Sequence, residues 1–146
     1  MENQPSHNPE AMLRNWQIMW GARFFCYVMF AAMAWFAGQP QTLTGGPGFV
    51  PLFPVLALLG CGTLAASFMV YRKMSGQAVA EQNPARLQSG YIVAWALCEA
   101  TCLFGLLGIF TTKALAFYAF FAVAALGLIA HRPQRDALHA TLYKKF

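Results

Sequence analysis

Charge is scarce in this 146-residue chain: ten lysines and arginines and five aspartates and glutamates, 10% of the residues together. A soluble domain carries roughly 25%. Histidine and cysteine are also few, at three and four. The sequence contains no HExxH, no phosphate loop, no Ser/His/Asp arrangement and no paired carboxylates, so no catalytic constellation is expected. A b-type haem needs imidazoles at membrane depth. Of His7, His131 and His139, only His131 falls near an apolar stretch, and at its end. No cofactor and no metal are therefore expected. The cysteines (26, 61, 98 and 102) all lie inside apolar stretches, so no disulfide framework is expected. Cys98 and Cys102 share a helical face, which suits thiol or soft-metal chemistry. Without a CxxC or a loop thiol, plain packing is the preferred reading. Met29 and Met33 are likewise read as apolar filler, not as Cu(I) ligands. No basic patch is interleaved with stacking aromatics, which excludes nucleic acid as a partner.

What the chain does have is apolar length. Apolar residues make up 58%, and near-uncharged runs cover about 24–38, 50–71, 91–110 and 114–130. None carries the polar stripe of a soluble amphipathic helix. With flanking residues each approaches the roughly 17–25 residues that cross a bilayer core. The expectation is an all-α polytopic membrane protein: one domain over 1–146, four transmembrane helices in a bundle, spans at about 22–38, 51–71, 90–110 and 113–131. Arg14, Arg23, Arg72, Lys73, Arg86, Arg132, Arg135, Lys144 and Lys145 collect on one side of that topology, and only Lys113 on the other. This positive-inside asymmetry places both termini in the cytoplasm. The net charge of +5 fits the same rule and attraction to anionic headgroups. Ala32-Met33-Ala34 is a possible cleavage site, but the polar stretch before Arg23 is long for a signal peptide, so an uncleaved anchor is expected.

Local signals mark the boundaries. Asn8-Pro9-Glu10 and Asn83-Pro84 read as helix starts, a cap followed by proline at the first turn. Met12, Trp16, Met19, Trp20 and Arg23 recur at helical spacing, which predicts a short interfacial helix before the first span. GQPQTLTGGPG (38–48) reads as an external loop, 72–90 as a cytoplasmic one and Thr111-Thr112-Lys113 as a tight turn. Leu138, Leu142 and Phe146 beside Lys144 and Lys145 predict a surface-lying amphipathic tail. Small residues should line the helix contacts: Cys61, Gly62, Ala65 and Ala66 on helix two, Ala94, Cys98 and Cys102 with Ala96 and Ala100 on helix three, and Ala116, Ala119, Ala122 and Ala125 on helix four. The phenylalanines of helix four are then expected to face lipid or a partner.

One residue resists this pattern. Glu99, in ALCEATCLFG, is the only acid within the spans. A charge at the bilayer centre costs roughly 2.5–3.5 kcal/mol on insertion scales. No base is expected at its depth: Arg23 falls at the cytoplasmic end of the first span, and Lys113 lies on the order of 20 Å along the axis. Glu99 is therefore expected as a neutral, desolvated carboxyl. Trp95 and Cys102 share its face. Two roles follow. One is structural, with Glu99 hydrogen-bonding helix two through Thr63 or Ser67; the other is ion handling.

The stretch NPARLQSGYIVAWALCEATCLFGLLGIF (83–110) resembles the polar loop and carboxylate-bearing helix of rotary ATPase proteolipid (c) subunits. The likeness lies in the basic, proline-containing loop, then A-L-x-E-A, then Phe104-Gly105. It implies that Glu99 carries a proton. The whole chain resembles small four-span bacterial integral membrane proteins of unassigned function, which implies the bacterial inner membrane. The function ranked first is a non-catalytic accessory or scaffold subunit of a larger membrane complex, held by lipid and other membrane-protein subunits, with a homo-oligomer as the other association. Proton or cation translocation through Glu99 comes second.

Overall fold

Two Asn-Pro pairs set where the long helices begin. In the computed structural model, which describes residues 8–39, 42–46 and 48–143, Asn8 Oδ1 accepts from the Glu10 amide at 3.0 Å and Asn83 Oδ1 from the Arg86 amide at 3.3 Å. Both asparagines hold the extended geometry of an N-cap. Pro9 and Pro84 follow, where a missing N–H is no loss. The helices are α1 (Pro9–Gly38), α2 (Phe49–Ala80), α3 (Pro84–Thr112), α4 (Tyr118–Ala130, preceded by a 3-10 turn Leu115–Phe117) and α5 (Arg135–Leu142). Among the described residues no strand forms. Expectations resting on Glu2, His7, Lys144, Lys145 and Phe146 lie outside the described residues.

Three helices, α1 to α3, are long and apolar enough to cross a membrane. A fourth crossing is reached if Leu115–Ala130 and α5, bent by 43° at their junction, count as one span. The protein is thus all-helical, with apolar helices consistent with a membrane protein.

Two expected boundaries shift. The chain from Pro9 to Gly38 is one 30-residue helix, so a separate interfacial segment before the first span does not form. No proline interrupts it, and Gly21, which has nothing within 4 Å of its Cβ position, imposes no kink. The segment 72–90 is not a loop. α2 runs to Ala80, and only Glu81-Gln82-Asn83 turns the chain, with Gln82 in the left-handed region and an Arg86–Glu81 ion pair across the turn. At 1.5 Å per residue α2 is about 48 Å long, well beyond a core of roughly 30 Å. The α2–α3 hairpin therefore outreaches any bilayer it crosses.

α3 is the hub, in contact with α1, α2, α4 and α5. Its glycines decide how closely α4 approaches. A Cβ on Gly105 would sit 2.7 Å from Phe120 Cβ, and one on Gly108 would overlap the Phe117 ring. Phe117, Phe120 and Phe121 are buried, whereas Ala119 and Ala122 face out. This reverses the expected orientation of helix four: its phenylalanines fill notches in α3. On α2 the contacts run through Leu56, Gly60 and Ser67, while Cys61, Gly62 and Ala65 are exposed. On α3, Ala94, Cys98 and Cys102 pack as expected, whereas Ala96 is exposed and Ala100 only half-buried. In lipid, apolar burial alone gives little net attraction between helices, so such close approaches and interhelical hydrogen bonds, each worth about 0.6–2 kcal/mol, hold the structure.

The two helix connections at one end, here the loop end, are tied together. The Leu115 amide donates to Thr42 O at 2.9 Å, the Ala116 amide to Leu43 O at 3.1 Å and the Gly46 amide to Thr112 O at 3.0 Å, around an isolated bridge between Thr42 and Ala114. Gly45 makes this possible with φ +62°, and a Cβ there would overlap Thr112 O. Left-handed backbone costs a residue with a Cβ about 1–2 kcal/mol, and the overlap adds to it. Gly45→Ala is expected to lower stability by about 2 kcal/mol or more, read by denaturation of the detergent-solubilised protein.

At the opposite end, the tail end, indoles satisfy the last carbonyls of α4, which have no intrahelical partner. Trp20 Nε1 donates to Leu128 O at 2.8 Å and Trp95 Nε1 to His131 O at 3.1 Å. His131 Nε2 lies 3.0 Å from Ser67 Oγ, whose own proton goes to Leu64 O at 2.7 Å, so the imidazole is the donor. Tyr71 and Tyr91 hydroxyls meet at 3.0 Å, and the Gln134 amide donates to Tyr91 at 3.4 Å. α5 packs against these ends through buried Leu138 and Thr141.

Candidate functional site

Because α1 and α3 are both uninterrupted, Arg23 stands near the middle of one and Glu99 near the middle of the other. Arg23 Nη1 lies 2.8 Å from Glu99 Oε2. The guanidinium also lies over the Trp95 indole, 5.6 Å from its centroid, a cation–π contact of about 0.5–2 kcal/mol. Trp95 is itself fixed by its hydrogen bond to His131 O and by stacking on Tyr91 at 5.7 Å. A rigid indole thus holds the cation against the carboxylate.

This overturns the expectation that no base reaches Glu99. Placing Arg23 at the end of a short span followed from dividing α1 into two segments. In one helix capped at Asn8, Arg23 has fourteen residues before it, and its depth matches that of Glu99. The expected contacts to α2 are also corrected. Thr63 Oγ1 meets Thr101 Oγ1 at 2.8 Å, and Ser67 meets His131 and, at 3.8 Å, the Cys98 thiol. α3 presents Thr101 and Cys98 to α2, and Glu99 and Trp95 to α1, with Glu99 itself about 100° or more round the helix from both of the α2-facing residues. Of the sequence-predicted neighbours, Trp95 shares the site through Arg23. Cys102, one turn beyond Glu99, is fully buried beside it.

Sequence reasoning missed Tyr27 as well as Arg23. Tyr27 follows Arg23 by one helical turn, is 4% exposed, and has the Arg23 and Glu99 charges and the Cys98 and Cys102 thiols around it. Its hydroxyl has no hydrogen-bond partner among the described residues. The signal was available: arginine and tyrosine at i and i+4 in the otherwise apolar run 18–38 of the sequence. A buried unsatisfied hydroxyl costs about 1–3 kcal/mol. Tyr27→Phe is expected to stabilise the isolated protein by about 1 kcal/mol in a denaturant titration. A loss of stability would show that the hydroxyl is bonded after all.

The pair is not sealed. Arg23 and Glu99 side chains remain 24% and 29% exposed. On α1 the exposed residues one turn either side of Arg23 are Met19 and Cys26, whereas Phe25, Met29 and Phe36, all more than half exposed, lie on the far side of the helix. No group of three or more His, Cys, Asp or Glu converges among the described residues. Chemically, the site offers a fixed cation, a carboxylate with one oxygen engaged, and a spare phenol donor.

Comparison with protein-family models, curated proteins and solved structures finds no match to this chain. The resemblance of residues 83–110 to a proteolipid helix rests on the residues alone.

Proposed function

We propose that this protein is a non-catalytic integral membrane subunit of a larger assembly, and that the open side of the α1–α3 pair is where a partner membrane protein docks. The partial exposure of the Arg23–Glu99 pair carries the reading. Lipid tails cannot hydrogen-bond the guanidinium N–H groups and carboxylate oxygen left open. A partner helix bearing a hydroxyl, amide or carbonyl can. Intramembrane ionisable groups characteristically face protein or water rather than lipid. The topology belonging to this proposal is four spans in a bundle in a bacterial inner membrane, with both termini cytoplasmic. It is supported by the basic residues at the tail end and by Lys113 alone at the loop end.

Proton or cation translocation through Glu99 is the second reading, and the same exposure favours it. It requires Glu99 to exchange Arg23 for the ion during each cycle.

Photo-crosslinking in the native membrane tests the first. A crosslinker at Met19 or Cys26, exposed one turn before and after Arg23 on α1, is expected to capture one defined membrane protein, whereas one at Met69 on α2 captures lipid. Adducts to lipid alone at all three sites would end the docking proposal. Adducts only to a second copy of this chain would point to a homo-oligomer and to transport.

A further inference from the structure

The tail end holds a second feature that the ion pair does not involve. Between the start of α1 and the start of α5 lies an open cleft of about 360 Å³, lined by Asn8, Glu10, Arg14 and Gln17 from α1 and by Arg135 from α5, with Leu13 at its floor. A smaller cleft of about 110 Å³ adjoins it, sharing Glu10, Leu13 and Arg135 and adding Leu138 and His139. Leu13 and Leu138 are 5% and 1% exposed, so the floor is apolar and closed. The rim is cationic and comes from two separate helices. Neither Arg14 nor Arg135 makes an ion pair among the described residues, although Glu10 lines the same space. Two guanidinium groups against one carboxylate leave a net positive rim.

We propose that this cleft binds a phosphate-bearing headgroup, with Arg14 and Arg135 as its two anchors. Guanidinium is the side chain whose planar fork fits phosphate oxygens in a two-point contact. Gln17 and Asn8 supply neutral polar contacts for the hydroxyls or esters around the phosphate. The apolar floor suits the glycerol and first methylenes of a lipid better than a bare ion. A phosphate ester is the shared chemistry, and its source is either an anionic lipid or a soluble phosphoester. General attraction between basic residues and an anionic surface differs from this proposal, because it depends on charge count and not on which two arginines remain.

The test uses the full-length protein in a neutral detergent. Thermal stabilisation and native mass spectrometry are read on adding phosphatidylglycerol, zwitterionic phosphatidylcholine, or glycerol 3-phosphate. The wild type is expected to bind phosphatidylglycerol selectively. An Arg14→Gln/Arg135→Gln variant is expected to bind it at least about thirtyfold more weakly, since both charge-assisted contacts are lost. A Lys73→Gln/Arg132→Gln variant removes the same charge away from the cleft and should bind as the wild type does. If glycerol 3-phosphate binds as tightly as the lipid, the phosphate site stands and its source is soluble. If both double variants lose binding equally, or neither does, the proposal fails. Arg14→Lys/Arg135→Lys guards against misfolding: it keeps the charge and should bind with intermediate strength, and binding no stronger than the glutamine variant by a well-folded lysine variant would also overturn the two-point contact.

Discussion

Arg23→Ala is expected to destabilise the protein by about 3 kcal/mol, the low end for breaking a buried pair, because each side chain keeps about a quarter of its surface accessible. The loss arises less from the missing attraction than from the charge left behind: Glu99 has a short side chain and no other cation within reach among the described residues. Glu99→Ala should cost less. Arg23 would keep its contact with the Trp95 ring, and its long stem can carry the guanidinium toward water. Removing both charges, as Arg23→Met/Glu99→Met, should restore most of the lost stability, since well-packed apolar side chains often replace such a pair without loss. A double-mutant cycle closed with the Arg23→Met and Glu99→Met singles should give a coupling of about 3 kcal/mol. Singles that are each near-neutral would show that the two side chains do not meet.

The second large effect is expected at Gly108. Gly108→Ala places a methyl in the Phe117 ring and should cost about 1–3 kcal/mol, the range for overpacking. Gly62 is the control. It belonged to the small-residue face expected on α2, yet its Cβ position meets nothing within 4 Å. Gly62→Ala should be neutral or slightly stabilising, because alanine is the better helix former. Equal losses at the two sites, read by unfolding in detergent, would mean that α3 and α4 do not meet at the Gly108–Phe117 contact.

Much of this fold could be read from residue type and order. Asn8-Pro9 and Asn83-Pro84 fixed two helix starts because capping is local chemistry, and the long uncharged runs named the solvent. Which face of each helix turns inward could not be read the same way. Small residues mark close approach, but α4 carries alanines on one side and phenylalanines on the other, and either can pack. The choice depends on Gly105 and Gly108 in α3, nine or more residues before the phenylalanines they meet. Glu99 was legible as the anomalous residue. Its partner was missed because Arg23 was assigned to water by a boundary that no breaker in the sequence supports. With α1 drawn from its Asn8 cap to Gly38, an arginine at the centre of one long helix and a glutamate at the centre of another would have pointed to each other. Tyr27, one turn from Arg23, needed that same placement before its lone hydroxyl meant anything.

The central claim is that the Arg23–Glu99 pair is kept for docking rather than for folding. Its direct test is recovery of the crosslinked partner by the Arg23→Met/Glu99→Met protein, purified in mild detergent alongside the wild type and matched for stability. The account predicts a double variant as stable as the wild type, inserted normally, that retains less than a tenth of the partner. Full recovery of the partner by a stable, chargeless variant would contradict it.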